Sequence, residues 1–185
     1  SKTKHLAVAQ GNVPSDIDHL PMVRQFLKSL DVEWVIENVP EAWSAEEKKN
    51  ITFSCGSHFG LGVQRHRFFE ASFPIEQLNC DHKSPHWPIG PKGKPKPIGV
   101  YGRKGDKIKG MYPKTGKMQM GGWTAKTVEE AQQAMGITHI SSWRNLCQAV
   151  PPAYTEHISK CFFKHMNNKS SQTKHVVQGT LERWI

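Results

Sequence analysis

Trp34-Val35-Ile36-Glu37-Asn38-Val39-Pro40 is the stretch whose reading decides the fold. With Val32 just ahead, its apolar residues make a nearly continuous run of strand length, the pattern of a strand covered on both faces. A carboxylate closes the run and a proline stops it. Ligands of open α/β sheets bind at the carboxyl ends of the strands, so Glu37 stands where chemistry is usually done. The plain alternative is a carboxylate that simply leaves the sheet into solvent.

Working outward, Ser15-x-x-Asp18 reads as a capping box with Asp in place of Glu, followed by an apolar helical face at Leu20, Val23, Phe26, Leu27 and Leu30. Burial of those five side chains would contribute on the order of 10 kcal/mol before entropy is subtracted. Beyond the strand, residues 41–50 are mostly polar and read as a short helix or loop. Residues 51–55 and 67–73 read as strand pieces around a Gly-rich turn. Thr127-Val-Glu-Glu130 caps a short helix that ends at Gly136, and Pro151-Pro152 opens a last helix over residues 153–165. Residues 167–177 are polar and are expected to be disordered. The strand ending at Glu37 reads as central in its sheet.

The 185 residues hold one domain, or one domain with a small appendage. No apolar run approaches a membrane span, and no charged-then-apolar leader is visible. Cys55, Cys80, Cys147 and Cys161 form no CxxC pair and read as reduced thiols of an intracellular protein. Cys55, His58, Cys80 and His82 offer C-x2-H and C-x-H pairs for zinc. The second spacing is cramped, His66 and His86 compete, and packed thiols with surface histidines are the default. No metal ligand is assigned.

Charge is distributed unevenly. Ten basic residues lie between Lys83 and Lys117 against the single acid Asp106, so this Gly/Pro-rich segment carries the whole net charge of +9. A neutral body with one strongly basic insertion suits a phosphate backbone. Tyr101, Tyr112 and Trp123 interleave aromatic rings with that charge, which favours nucleic acid over a passive solvated linker. The candidate DNA-binding residues are Lys92, Lys94, Lys96, Arg103, Lys104, Lys107, Lys109, Lys114 and Lys117.

Three elements resemble, in order, the motifs of the DNA cytosine-C5 methyltransferases, particularly their compact phage-type members. Glu37-Asn38-Val39 looks like the family's Glu-Asn-Val motif, and Arg65-His66-Arg67 like the core of its Gln-x-Arg-x-Arg motif. Ala149-Val150-Pro151-Pro152 looks like the end of its Gly-Asn-Ala/Ser-Val-Pro-Pro motif. The basic insertion falls in the place of the family's target-recognition region. The resemblance covers residues 13–163.

The resemblance implies a fold, a chemistry and partners. The fold would be α/β, a partial Rossmann-like methyltransferase sheet with a small basic target-recognition insertion and a C-terminal helix. Cytosine C5 is a poor nucleophile until a cysteine thiolate adds to C6, after which C5 attacks the methyl of S-adenosylmethionine. Glu37 would protonate or hydrogen-bond N3, Arg67 would hold O2, and Arg65 would orient the carboxylate or bind the backbone. Asn38, Gln148 and Ala149 would contact the cofactor. The target base would leave the duplex at a cost of a few kcal/mol.

The departures are equally informative. Neither the family's Gly-rich cofactor loop nor its Pro-Cys nucleophile motif exists in these residues. Val63 stands at the leading Gln of the second motif, and Cys147-Gln148 replace Gly-Asn in the third. The expectation is therefore the C-terminal part of a methyltransferase, or one subunit of a split one, that works only with an N-terminal half. Its segments would be residues 1–78 of the catalytic sheet, the insertion at 79–122, return helices at 123–165 and a flexible tail at 166–185.

That tail carries Gln178-Gly-Thr-Leu181-Glu-Arg-Trp184-Ile185, which resembles the sliding-clamp-interacting peptide. Leu181, Trp184 and Ile185 would form one apolar face of a helical turn, with Gln178 in a polar pocket. A segment folding back through Trp184 is the other reading. The competing function is accordingly a non-catalytic DNA-binding module tethered to a clamp.

Overall fold

In a computed structural model of the protein, the described residues are 18–83, 87–89, 93–102, 104 and 123–181, with side chains described as far as Ser170 except that of Trp123. The chain is a mixed α/β structure that divides into two compact units. The first falls within residues 1–53, 67–76 and 158–185, and the second within 54–66 and 77–157.

The first unit is built on a three-stranded sheet of β1 (Val35–Asn38), β2 (Thr52–Ser54) and β3 (Arg67–Ala71), in the order β1-β3-β2. β1 and β3 are antiparallel, with Glu37 opposite Phe69 and Asn38 opposite Phe68. Among the described residues β1 is thus an edge strand, not the central one expected. Coverage on both faces also fails: Ile36 is buried while Val35 is exposed. Over residues 41–50 the expected short helix or loop takes the form of short 3-10 helix joined by loop. Two 3-10 turns, Pro40–Ala42 and Glu47–Lys49, carry the chain to β2 and bury Trp43.

Helix α1 (Leu20–Lys28) precedes the sheet. Leu20 amide donates to Asp18 Oδ1 at its start, while Ser15 lies outside the described residues. The expected burial of its apolar face does not occur. Leu20 and Leu27 are half-buried, but Met22, Val23, Phe26 and Leu30 are exposed, Phe26 at 61%. The helix is held instead by Arg24, whose Nε donates to both carboxylate oxygens of Glu70 on β3 and whose Nη2 donates to Glu47, each at 2.8 Å. A charged fork, not a hydrophobic stripe, anchors this helix.

The second unit has an apolar core of Val63, Ile98, Val100, Ala125, Ala131, Ala134, Met135, Ile137 and Leu146. It is closed by helices α2 (Val128–Met135) and α3 (Trp143–Gln148) and by a parallel pair, β4 (Ile98–Gly99) with β5 (Trp123–Thr124). The α2 caps follow the sequence: Thr127 Oγ1 accepts from Glu130 N, and Gly136 takes a φ of +65° to stop the helix. Helix α3, capped by Ser142, had no counterpart among the expected elements. Gly56 is obligatory for packing, because a Cβ there would stand 1.9 Å from the Val63 carbonyl oxygen.

Helix α4 runs from Pro152 to Leu181, its residues through His157 counting with the second unit and the rest with the first. The expected disorder over 167–177 is thus replaced by helical backbone. No proline or glycine interrupts the chain from Ala153 to Gln178, and Asn, Ser and Thr each cost a helix only tenths of a kcal/mol, roughly 0.5 apiece. Among the described residues no helix is long and apolar enough to cross a membrane.

Candidate active site

Two of the three motif elements meet in the first unit. Antiparallel register places Glu37 opposite Phe69, so Arg67, two residues away along β3, is a diagonal neighbour on the same face. Arg67 Nε donates to Glu37 Oε1 at 2.9 Å. The arginine side chain is 12% exposed and the glutamate 35%, so the cation is held inside while the carboxylate reaches the surface. Asn38 turns back on its own chain, its Oδ1 accepting from Val39 N at 2.9 Å.

The second and third elements meet in the second unit. Arg65 is buried, and its Nη2 donates to the Cys147 carbonyl at 2.7 Å while Nη1 donates to that of Val100 at 3.3 Å. Tyr154, fully buried in the first turn of α4, donates its hydroxyl to the Arg65 carbonyl at 2.5 Å. Phe59 packs on Tyr154 with ring centroids 5.3 Å apart. Neither arginine is an ordinary outward-facing strand residue. Arg65 binds the protein's own backbone. Gln148 is exposed and Ala149 half-buried at the end of α3.

Of the basic candidates, Lys94 and Lys104 are exposed and Lys96 is half-buried, its amide donating to the Pro88 carbonyl. Lys92, Arg103, Lys107, Lys109, Lys114 and Lys117 lie outside the described residues. Gln178 and Leu181 belong to α4 by backbone alone, and Trp184 and Ile185 lie outside the described residues.

A second constellation lies in the second unit. Cys55, His66, Cys80 and His82 bring one ligand atom each within 4.8 Å of one another. Of the four donors considered from spacing, His58 is therefore replaced by His66. His58 is engaged on its own turn, its Nδ1 accepting from Cys55 N at 3.3 Å. Burial first, and then the neighbouring histidines His66, His157 and His82, push its pKa down to about 4. His66 is also lowered, by burial and by His82. Burial and the adjacent Cys55 push the Cys80 thiol up to about 12. Nothing in the spacing of the sequence separated His66 from His58.

No family model matches the chain, and no curated protein matches it.

Proposed function

We propose that this chain carries the base-activating carboxylate and the target-recognition segment of a DNA cytosine-C5 methyltransferase. The observation that supports the reading most is the Glu37–Arg67 pair, a carboxylate at a strand end oriented by a mostly buried guanidinium at 2.9 Å. The Arg65–Cys147 bond ties the second motif to the residue that leads into the third. A methyltransferase sheet of the doubly wound kind is part of the proposal. An antiparallel strand beside β1 is compatible with the edge of an otherwise parallel sheet.

In this reading Glu37 addresses N3 of a flipped cytosine, and Arg67 both fixes the carboxylate and holds O2 of the ring. A charge-assisted bond of this kind preorganises the acid, so little motion is needed when the base arrives. The thiolate that adds to C6 comes from a Pro-Cys motif outside these residues, and S-adenosylmethionine supplies the methyl group. Asn38, Gln148 and Ala149 are the proposed cofactor contacts of this chain. The basic segment holds the phosphates, and residues 178–185 are a proposed docking peptide for a sliding clamp.

The test mixes this chain with a polypeptide carrying the Gly-rich loop and the Pro-Cys motif, and measures labelled methyl transfer to DNA at low salt. Transfer is expected, and Glu37→Gln should lower its rate by about 10²–10⁴-fold, the range of a lost acid–base group. Absence of transfer by the wild-type mixture would sink the enzyme and leave the clamp-tethered DNA binder. Deleting residues 178–185 should abolish clamp binding and leave DNA affinity unchanged.

A further inference from the structure

The sulfur and nitrogen cluster of the second unit has the dimensions of a metal site. Its donors come from three separate stretches: Cys55 ahead of the 3-10 turn Gly56–Phe59, His66 just before β3, and Cys80-Asp-His82 where the basic segment begins. His66 Nε2 and His82 Nε2 are 3.3 Å apart, Cys80 Sγ is 3.4 Å from His66 Nε2, and Cys55 Sγ is 3.8 Å from His82 Nε2. A tetrahedron with metal–nitrogen bonds of about 2.0 Å and metal–sulfur bonds of about 2.3 Å has N–N edges of about 3.3 Å and N–S edges of about 3.5 Å. The two edges at His66 match those values, the Cys55–His82 edge is about 0.3 Å longer, and all four donor atoms lie within 4.8 Å of one another, so small side-chain shifts would close them on one ion.

We propose that Cys55, His66, Cys80 and His82 bind one Zn²⁺ as a structural site. Two thiolates and two imidazoles in a tetrahedron select zinc over hard cations, which take oxygen ligands. Four protein ligands leave no open position, so the ion holds chain segments together and does not activate water. As the two metal–sulfur bonds form, Cys55 and Cys80 each release a proton to solvent.

The surroundings fit that assignment. Ser57 Oγ donates to Cys55 Sγ at 3.3 Å and itself accepts from Asp81 N at 3.2 Å, linking two ligand-bearing stretches. Gln64 adds a contact to His82. Its Nε2 lies 3.3 Å from both ring nitrogens of His82, while its Oε1 is buried with no hydrogen-bond partner among the described residues. The two ends of an amide are exchangeable assignments. Turned over, the carbonyl accepts from His82 Nδ1–H, which is the second contact a histidine bound through Nε2 to a metal needs. That orientation gives the carbonyl a partner and is compatible with the metal-bound tautomer.

The alternative is a packed cluster of neutral thiols and imidazoles. A neutral imidazole N–H can meet the turned amide as well, so the approach of four soft donors to one point, not Gln64, separates the two. The zinc site stands independently of methyl transfer, since it concerns how the basic segment is fastened to the second unit.

The experiment uses the full chain purified without chelators from zinc-supplemented cells. Elemental analysis should find one zinc per chain, and X-ray absorption at the zinc edge should show two sulfurs and two nitrogens. Cobalt(II) exchanged into the site should give the intense visible bands of a tetrahedral thiolate complex. His58→Ala should keep the metal, Cys80→Ser and His82→Ala should lose it, and Gln64→Leu should weaken binding about 10–100-fold. A wild-type chain without zinc that also leaves cobalt octahedral overturns the site. So does a Cys55–Cys80 disulfide, or an absorption spectrum with oxygen ligands in place of sulfur. Because the spectroscopic arms use the unmutated chain, misfolding of a variant cannot decide the matter.

Discussion

In the second unit, Val63, Ile98, Val100, Met135 and Leu146 close on one another behind two short helices. In the first, α1 and the turn after it leave Met22, Val23, Phe26 and Leu30 exposed, and Arg24 grips the sheet. Helix α2 of one unit has met an apolar surface and α1 of the other has not. The difference shows how the same kind of amphipathic pattern can end in two ways. Helix α2 buries Ala131, Ala134 and Met135 because β4 and Val63 supply a surface for them to meet. Helix α1 meets Glu70 and Glu47 instead, and its apolar side is left over. The attachment of α1 should therefore come from charged hydrogen bonds, whereas the second unit and the sheet of the first, with Ile36, Trp43, Phe69 and Phe73 buried, rest on packing.

The largest effects that test this contrast lie in the second unit. Leu146→Ala should cost about 2–5 kcal/mol, as for other fully buried leucines, read from the midpoint of urea unfolding. Gly56→Ala should cost at least the roughly 1–3 kcal/mol of an overpacked site, because the new methyl meets a backbone carbonyl that cannot rotate away. In the first unit the counterpart is Arg24→Gln. It leaves Glu70 without its fork and should cost about 1.5–3 kcal/mol, the worth of hydrogen bonds to a charged group. Phe26→Ala should change the midpoint by less than about 0.5 kcal/mol, since little is buried there to lose. A Phe26→Ala cost equal to that of Leu146→Ala would erase the contrast.

Much of this was legible in the sequence, and the reasons differ by element. β1, β2 and β3 each fall within the stretches that apolar patterning marked, and α2 was fixed at both ends by Thr127 and Gly136. The Glu37–Arg67 meeting is a consequence of antiparallel register, which no single strand encodes, and only the order of motifs hinted at it. Exposure of the α1 face was not readable, because periodicity says that a helix has an apolar side and not what it meets. His58 and His66 are equally plausible donors by spacing. The three-dimensional choice fell to His66 because His58 Nδ1 is taken by the amide of Cys55. Disorder over 167–177 was expected from polarity, yet polarity alone does not forbid a helix in which no residue breaks the backbone.

The smallest expected effect concerns acid. Hydrogen bonds from the Ser44 amide and hydroxyl, and then from Arg24, pull the Glu47 carboxyl down from 4.5 to about 2. The Ser72 hydroxyl, then Lys169 and His165, do the same for Glu33. Both groups bind protons more weakly when folded than when unfolded. Their stabilisation is therefore complete above about pH 4.5 and is lost as the pH falls toward 2. Both carboxylates are near solvent, which screens the gain and keeps it small. The urea midpoint should fall between pH 5 and pH 3, and the Glu33→Gln, Glu47→Gln double variant should fall by visibly less over that interval, values bracketing about 4.5. Above pH 5 the two curves should run parallel. An identical acid slope in the double variant would mean that neither carboxylate holds the first unit, and that α1 and the strand entry at Trp34 are fastened by something other than these hydrogen bonds.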